Sequence, residues 1–287
     1  MNIDIAIIIL NWNKPEITIR AARSIKNVMV SKYKIIIADN GSNDETLNIL
    51  LNENGIELLT LGDNHGYAEG YNIAVRRTID KYNPRYLLLL NNDTVLCEKA
   101  LDYLYNNRLT AEIISPKILY PDANTIWACG GILKHSRALA INRGQGENDI
   151  GQYDNQRDIG FASGCAIWIK TEVVAKIGLF DPEYKLYYED VDFCCRARKN
   201  GFRITYVPEA IILHWAGATS GDEYGILQSK YRWRNRILFA RKNIGSVNYL
   251  AFILLIMPLI IMRDTIRYLF KGRRSELAVA YRGIVGK

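Results

Sequence analysis

Leu87-Leu88-Leu89-Leu90-Asn91-Asn92-Asp93-Thr94 is the stretch on which the fold turns. Four consecutive leucines without polar alternation predict a strand buried on both faces, as in the middle of a parallel sheet. Two amides and a carboxylate follow at once. In open α/β sheets ligands sit beyond the carboxyl ends of the strands, so polar groups at this point are placed for chemistry. Asn-Asn-Asp-Thr is equally an ordinary turn that starts a helix. Taken alone, the stretch supports both readings.

The same pattern recurs on the N-terminal side. Continuous apolar runs at 5–10, 35–38 and 56–61 predict three more buried strands, with 86–90 as the fourth. Helical spacing occupies 16–28, 45–54 and 70–81, and Ser42-Asn43-Asp44-Glu45 has a capping-box pattern. Strand and helix thus alternate, which predicts a mostly parallel sheet with right-handed crossovers. Residues 115–161 are rich in Gly, Asn and Asp and read as long loops with short strands. Regularity returns with a strand at 165–169, a helix at 190–199 stopped by Asn200-Gly201, and short strands at 203–207 and 211–213.

At 287 residues, 49% hydrophobic and 23% charged, the chain suits one large α/β domain with an appendage. Its net charge of +7 is unevenly placed. Residues 229–287 hold 13 Lys/Arg against Asp264 and Glu276, whereas 1–228 hold 24 basic and 28 acidic residues. The expected division is therefore a catalytic domain over 1–228 and a basic helical extension over 229–287. Within the extension, 249–262 are 14 uncharged residues including Pro258, fewer than the roughly 20 a spanning helix needs. Arg241, Lys242, Arg263, Arg267, Lys271, Arg273 and Arg274 flank them. That pattern predicts a helix lying in or dipping into an anionic leaflet, with a buried core or dimer helix as the alternative. The bases surround an apolar stripe, which argues against nucleic acid as the partner. Five cysteines without a CxxC pair, and a start (Met1-Asn2-Ile3-Asp4) lacking a charged n-region, predict a cytoplasmic protein at the inner face of the membrane.

Three further motifs carry chemistry. Asp39-Asn40-Gly41-Ser42 closes the second strand. Asn64-His65-Gly66-Tyr67-Ala68-Glu69-Gly70-Tyr71-Asn72 follows the third, and its glycines lead into a helix whose N–H groups suit a diphosphate. It lacks the spacing of a dinucleotide fold and the lysine of a P-loop. In Tyr188-Glu189-Asp190-Val191-Asp192, three acids within four positions exceed what a helix cap needs and point to a general base. His214-Trp215 ends a short apolar run beyond them.

In this order the motifs resemble those of the inverting family 2 glycosyltransferases, most closely a bacterial rhamnosyltransferase-like branch, from residue 5 to about residue 236. The resemblance implies a GT-A fold, an α/β architecture whose mostly parallel nucleotide-binding sheet is flanked by helices. It also implies transfer of a sugar from a nucleoside diphosphate with Mg²⁺ or Mn²⁺. Asn11, Asp39, Asn64, Gly66, Asn72, Asn91, Asn92 and Asp93 would form the donor site, with Asp39 on the base. Arg232 and Arg234, with Arg236 in the same stretch, would clamp the diphosphate. Asp93 would serve ribose or metal, and His214 would complete the metal site. Asp190 would be the catalytic base, with Gly164, Glu189 and Asp192 in the acceptor pocket. Asn91 departs from the pattern: it stands where the first aspartate of Asp-x-Asp is expected, and so removes one charge from the metal site. dTDP-rhamnose or a UDP-hexose is the implied donor. The implied acceptor is a glycan or a polyprenyl-diphosphate-linked sugar in bacterial or archaeal surface polysaccharide synthesis.

Two alternatives follow from the residues. A sugar nucleotidyltransferase would carry a Gly-rich loop with a basic residue after the first strand, where this chain has Leu10-Asn11-Trp12-Asn13. A non-catalytic sugar-binding protein would not need the acid cluster at 189–192.

Overall fold

The four apolar runs become β1 (Ile5–Asn11), β2 (Tyr33–Asp39), β3 (Ile56–Thr60) and β4 (Tyr86–Asn91), parallel and in the order β3-β2-β1-β4. They are seen in a computed structural model that describes residues 3–26, 28–30, 32–215 and 224–284. The crossovers are α1 (Pro15–Arg23), α2 (Asp44–Leu51) and α3 (Gly66–Tyr82). Successive leucines of β4 serve opposite layers, because strand side chains alternate faces. Leu87 and Leu89 join Ala6, Ile8 and α3 residues Tyr71 and Ala74. Leu88 and Leu90 join Ile7, Ile9 and α1 residues Ala21 and Ala22. All four leucines are fully buried, each contributing about 2 kcal/mol of transfer free energy.

Two local expectations are corrected. The cap of α2 is Asn43, whose side chain accepts from Thr46 N at 2.9 Å; Ser42 is occupied by Asp39 instead. α1 stops at Arg23 rather than near 28, because the Ser24 hydroxyl donates to Ala21 O (2.6 Å) and accepts from Leu96 N (3.0 Å). A serine satisfied in this way competes with continued helix.

The second half departs from a parallel sheet. In chain order it comprises β5 (Thr94–Leu96), α4 (Ala100–Asn106), β6 (Ile113–Leu119), β7 (Ile126–Ala128), β8 (Gly131–Lys134), β9 (Leu139–Asn142), β10 (Ala166–Lys170), α5 (Thr171–Ile177), α6 (Glu189–Lys199) and β11 (Ile204–His214). The sheet continues β4-β10-β6-β11-β5, with β10 antiparallel to β4 and β6, and β5 antiparallel to β11. The sheet is therefore mixed. The reversal of β10 has a functional consequence: the loop before it arrives beside the carboxyl end of β4, where Asn91 N donates to Cys165 O at 2.8 Å. β11 is one strand with a register shift between Val207 and Ile211, not two strands. The shift falls at Pro208, a residue that lacks the ladder N–H. The hairpin β8-β9 and the loops around it hold most of the hard-to-assign middle.

The C-terminal part is helical. α7 (Tyr224–Asn243) runs through the expected boundary at 228/229 and buries Trp233, Asn235 and Phe239 against the domain. α8 (Ser246–Ala251), a π-helical turn (Phe252–Ile256) and α9 (Met257–Phe270) follow without a break, then α10 (Arg274–Ile284). The π turn precedes Pro258, whose missing N–H an α-helix interior would not tolerate. The apolar segment thus belongs to a 25-residue helix, Ser246–Phe270, and is longer than its 14 uncharged residues imply. Among the described residues it is the one helix long and apolar enough to cross a membrane, and 17% of its most apolar window is buried.

Candidate active site

The carboxyl ends of β1, β2 and β4 meet in a hydrogen-bonded floor. Asn11 Nδ2 donates to Asp39 Oδ1 (2.8 Å) and Ser42 Oγ (3.1 Å), while its Oδ1 accepts from Thr18 (2.6 Å). Asp39 Oδ2 accepts from Ser42 N at 3.0 Å. Both Asp39 oxygens are therefore held, which fixes the carboxylate in one orientation. Asn40 links this floor to the next loop through Asn64 Oδ1 (3.2 Å), Gly66 O (3.0 Å) and His65 N (3.0 Å). Gly41, at φ +78°, lets the two loops touch, since a Cβ there would lie 2.4 Å from the Asp63 carbonyl carbon.

Asp93 and His214 converge from different strands. β5 and β11 pair with Thr94 opposite His214, so the imidazole lies beside the residue before Thr94. His214 Nε2 is 3.3 Å from Asp93 Oδ1, and Trp215 N donates to Asp93 O at 2.9 Å. The Trp127 ring packs edge-on against the imidazole at 4.6 Å. Both residues are buried, and neither Asp93 Oδ1 nor His214 Nδ1 has a hydrogen-bond partner. Asp93 Oδ1, buried without a hydrogen-bond partner, and the His214 Nε2 that faces it are an oxygen and a nitrogen of the kind that Mg²⁺ or Mn²⁺ would take as ligands. No group of three His, Cys, Asp or Glu side chains gathers there among the described residues. A cation held by this pair would take its remaining ligands from elsewhere, such as the oxygens of a diphosphate.

Asp190 lies in the first turn of α6, where the helix N-terminus favours negative charge. Its Oδ2 accepts from Gly164 N and its Oδ1 from Val191 N, both at 2.8 Å. Burial raises its pKa, while those two N–H groups oppose the rise. Glu189 is buried more completely, with Oε2 unpartnered. Burial first, then the neighbouring Asp190, drive its pKa well above the carboxylate range. Of the pair, Glu189 is pushed the further up, and Asp190 is the member whose charge two N–H groups favour.

One side chain links the two halves of the site. Tyr67 OH is 3.0 Å from Asn91 Oδ1 and 2.9 Å from Gly164 O. Gly164 in turn touches Asp190, and a Cβ on it would come within 3.1 Å of Tyr67 OH and 3.4 Å of Asp190 Cβ. The Tyr67 hydroxyl thereby ties Asn91 to Gly164, whose N–H in turn holds Asp190.

The sequence profile of glycosyltransferase like family 2 matches residues 3–235. The chain belongs to glycosyltransferase family 2. This family 2 glycosyltransferase is 26% identical, over 98% of its length and 89% of the relative's, to the low-salt glycan biosynthesis hexosyltransferase of Haloferax volcanii. It is 24% identical to a dTDP-rhamnosyl transferase of Shigella flexneri over 100% of its own length and 98% of the relative's. Among solved structures it resembles a mannosyltransferase from Pyrobaculum calidifontis in complex with GDP-Man and Mn²⁺. The TM-score is 0.58 at 12% identity, covering 99% of this chain and 86% of that one, which makes the fold GT-A-like. As an enzyme of this family it is neither a nucleotidyltransferase nor a non-catalytic binder.

Several expected site residues have partners of another kind in this glycosyltransferase. Asn72 holds the backbone of Phe180 with both ends of its amide (2.8 and 3.0 Å). Asp192, two positions from Asp190 and so on another helix face, accepts from Arg196 (2.7 Å), Asn243 (2.8 Å) and Tyr184 (3.1 Å). Arg234 donates to Glu183 O at 2.9 Å, and Arg232 lies 3.6 Å from Asp264. Asn92 Nδ2 reaches Thr18 Oγ1 at 3.2 Å. Tyr67 lies inside the 64–72 motif, yet only the tertiary contacts of its hydroxyl mark it as part of the site. Asn235 is likewise revealed only by its tertiary contacts.

Proposed function

We infer that this glycosyltransferase moves a single sugar, with inversion, from dTDP-rhamnose or a UDP-hexose to a hydroxyl of a lipid-linked glycan in surface polysaccharide synthesis. The observation that carries the reading is Asp190: a carboxylate held by two N–H groups, joined through Gly164 and Tyr67 to the Asn91-Asn92-Asp93 strand end. The names of similar proteins support the substrate class. They include the dTDP-rhamnosyl transferase above and an N-acetylglucosaminyl-diphospho-decaprenol L-rhamnosyltransferase of Mycobacterium tuberculosis, 25% identical over 66% of this chain.

In the reaction the acceptor hydroxyl gives its proton to Asp190 as its oxygen bonds to the anomeric carbon. The bond from that carbon to the diphosphate oxygen breaks, and its electron pair leaves with the diphosphate. A divalent cation on Asp93 and His214 would supply positive charge against the leaving group. Burial of Glu189, which raises its pKa, disfavours a second negative charge beside the base. The membrane location rests on the helix Ser246–Phe270, whose exposed apolar face includes Leu250, Leu254, Leu259 and Phe270.

Asp190→Asn tests the reading. The variant should bind the nucleotide with unchanged affinity and lose kcat by about a thousandfold or more. A loss under tenfold would remove Asp190 from the role of base.

A further inference from the structure

The apolar helix meets the catalytic domain at a cluster of arginines. Asp264, 2% exposed, accepts from Trp233 Nε1 at 3.2 Å and from Arg263 Nε and Nη2 at 3.0 and 2.8 Å. Arg232 approaches the same carboxylate from α7, with Nη2 3.6 Å from Oδ2. One acid therefore lies between two guanidiniums. Arg236 follows one turn along α7, on the same face as Arg232, and is 7% exposed. Its Nε and Nη2 both donate to the Arg137 carbonyl, at 3.2 and 2.8 Å, and it forms no ion pair among the described residues. Three arginines with one carboxylate leave two positive charges in a site where partial burial strengthens their repulsion. Burial, with Arg263 and Arg232 alongside, pushes the Arg236 guanidinium below its ordinary range.

The surroundings of the cluster indicate which anion it suits. On one side Tyr188 OH donates to Ala138 O at 2.9 Å, the carbonyl next to the one Arg236 uses. Tyr188 is two residues before Asp190, so the cluster adjoins the loop that carries the base. On the other side Arg263 belongs to a helix that exposes Leu254, Leu259, Met262 and Ile266. The excess positive charge thus lies between a lipid-seeking surface and the chemistry.

We propose that Arg232, Arg236 and Arg263 bind the phosphate groups of a prenyl-diphosphate-linked acceptor, placing its sugar toward Asp190 while the apolar helix lies along the prenyl chain. The assignment rests on the lipid-linked acceptor inferred above. It separates these arginines from the donor's diphosphate, which the Asp93–His214 end of the sheet serves.

The test is flotation of the full-length protein with phosphatidylcholine vesicles containing farnesyl diphosphate. Comparison vesicles carry the same charge as phosphatidylglycerol, and free pyrophosphate is titrated separately. The wild type should prefer the farnesyl diphosphate vesicles by about tenfold. Arg236→Gln and Arg263→Gln should each abolish most of that preference, and Arg236→Lys should retain more of it than Arg236→Gln. Thermal melts establish that each variant is folded. Equal binding to both charged vesicles would reduce the cluster to general attraction for anionic lipid and overturn the proposal. So would pyrophosphate binding as tight as the vesicles, or variants that weaken nucleotide affinity and leave the vesicle preference intact. Failure of the acceptor reading would look different: the wild type would keep its vesicle preference yet glycosylate water-soluble glycans alone.

Discussion

Glu189 and Asp190 are chemically similar neighbours in unlike surroundings, and the difference lies in their donors. Gly164 N and Val191 N hold the charge of Asp190, whereas Glu189 Oε2 is buried with nothing to meet it. Because the folded pKa of Glu189 is raised, the folded state holds a proton that the unfolded chain releases above the ordinary Glu range. Stability is therefore lost as pH rises from that range toward the folded value. Glu189→Gln should remove this dependence: its Tm should exceed the wild type's by a few degrees at pH 8 and converge with it near pH 4, as followed by calorimetry. Asn91 is the second informative residue. Its Oδ1 already accepts from Tyr67, a role a carboxylate would keep. Asn91→Asp should lower the Mn²⁺ concentration for half-maximal transfer about tenfold, measured by metal titration after chelation. The motif around Asn91 was legible because residue type and strand end coincide. The unequal support of the two acids was not, since it depends on which backbone N–H groups arrive from Gly164 and α6.

At the scale of elements, the loop before α6 is held in a costly shape. Lys185, Tyr187 and Tyr188 have φ of 62°, 68° and 73°, values that non-glycine residues adopt at a cost of about 1 kcal/mol or more each. Asn235, fully buried on α7, lies with Nδ2 at 2.9, 2.7 and 2.7 Å from the carbonyls of Tyr184, Leu186 and Tyr187. Asn235→Ala should destabilise the protein by about 2–4 kcal/mol in denaturant unfolding. It should also lower kcat by roughly tenfold with little change in nucleotide affinity, because Asp190 follows directly on this loop. The strands and helices of the first hundred residues could be read from hydrophobic period alone, with ends shifted by a few residues. The antiparallel insertion of β10 could not, because a five-residue apolar strand carries no mark of its direction.

Across the whole molecule, the active site opens from one end of the sheet while the apolar helix lies against α7. One face of that helix is buried at Phe252, Met257 and Ile260, and the other is exposed at Leu254 and Leu259. Truncation would uncover the core, so the sharper test changes the exposed face. Leu254→Glu with Leu259→Glu should leave Tm near the wild-type value. It should also reduce partition onto anionic vesicles by roughly a thousandfold, since each withdrawn leucine is worth about 2 kcal/mol. A sedimentation assay measures it, and unchanged partition would assign the face to another partner.

The sequence by itself determined the buried parallel strands, the polar motifs at their ends and the family, because these depend on local pattern and on residue order. Tertiary structure decided the rest. It brought Gly164 to Asp190 by reversing β10, paired His214 with Asp93 across β5 and β11, and gave Asn72, Asp192 and Arg234 partners within the protein. It also resolved the basic tail into a cluster of arginines at the root of an amphipathic helix. The physical reason is common to all of these. A side chain's type is fixed by the chain, but its protonation, orientation and free valences are set by groups that folding brings from far away in sequence.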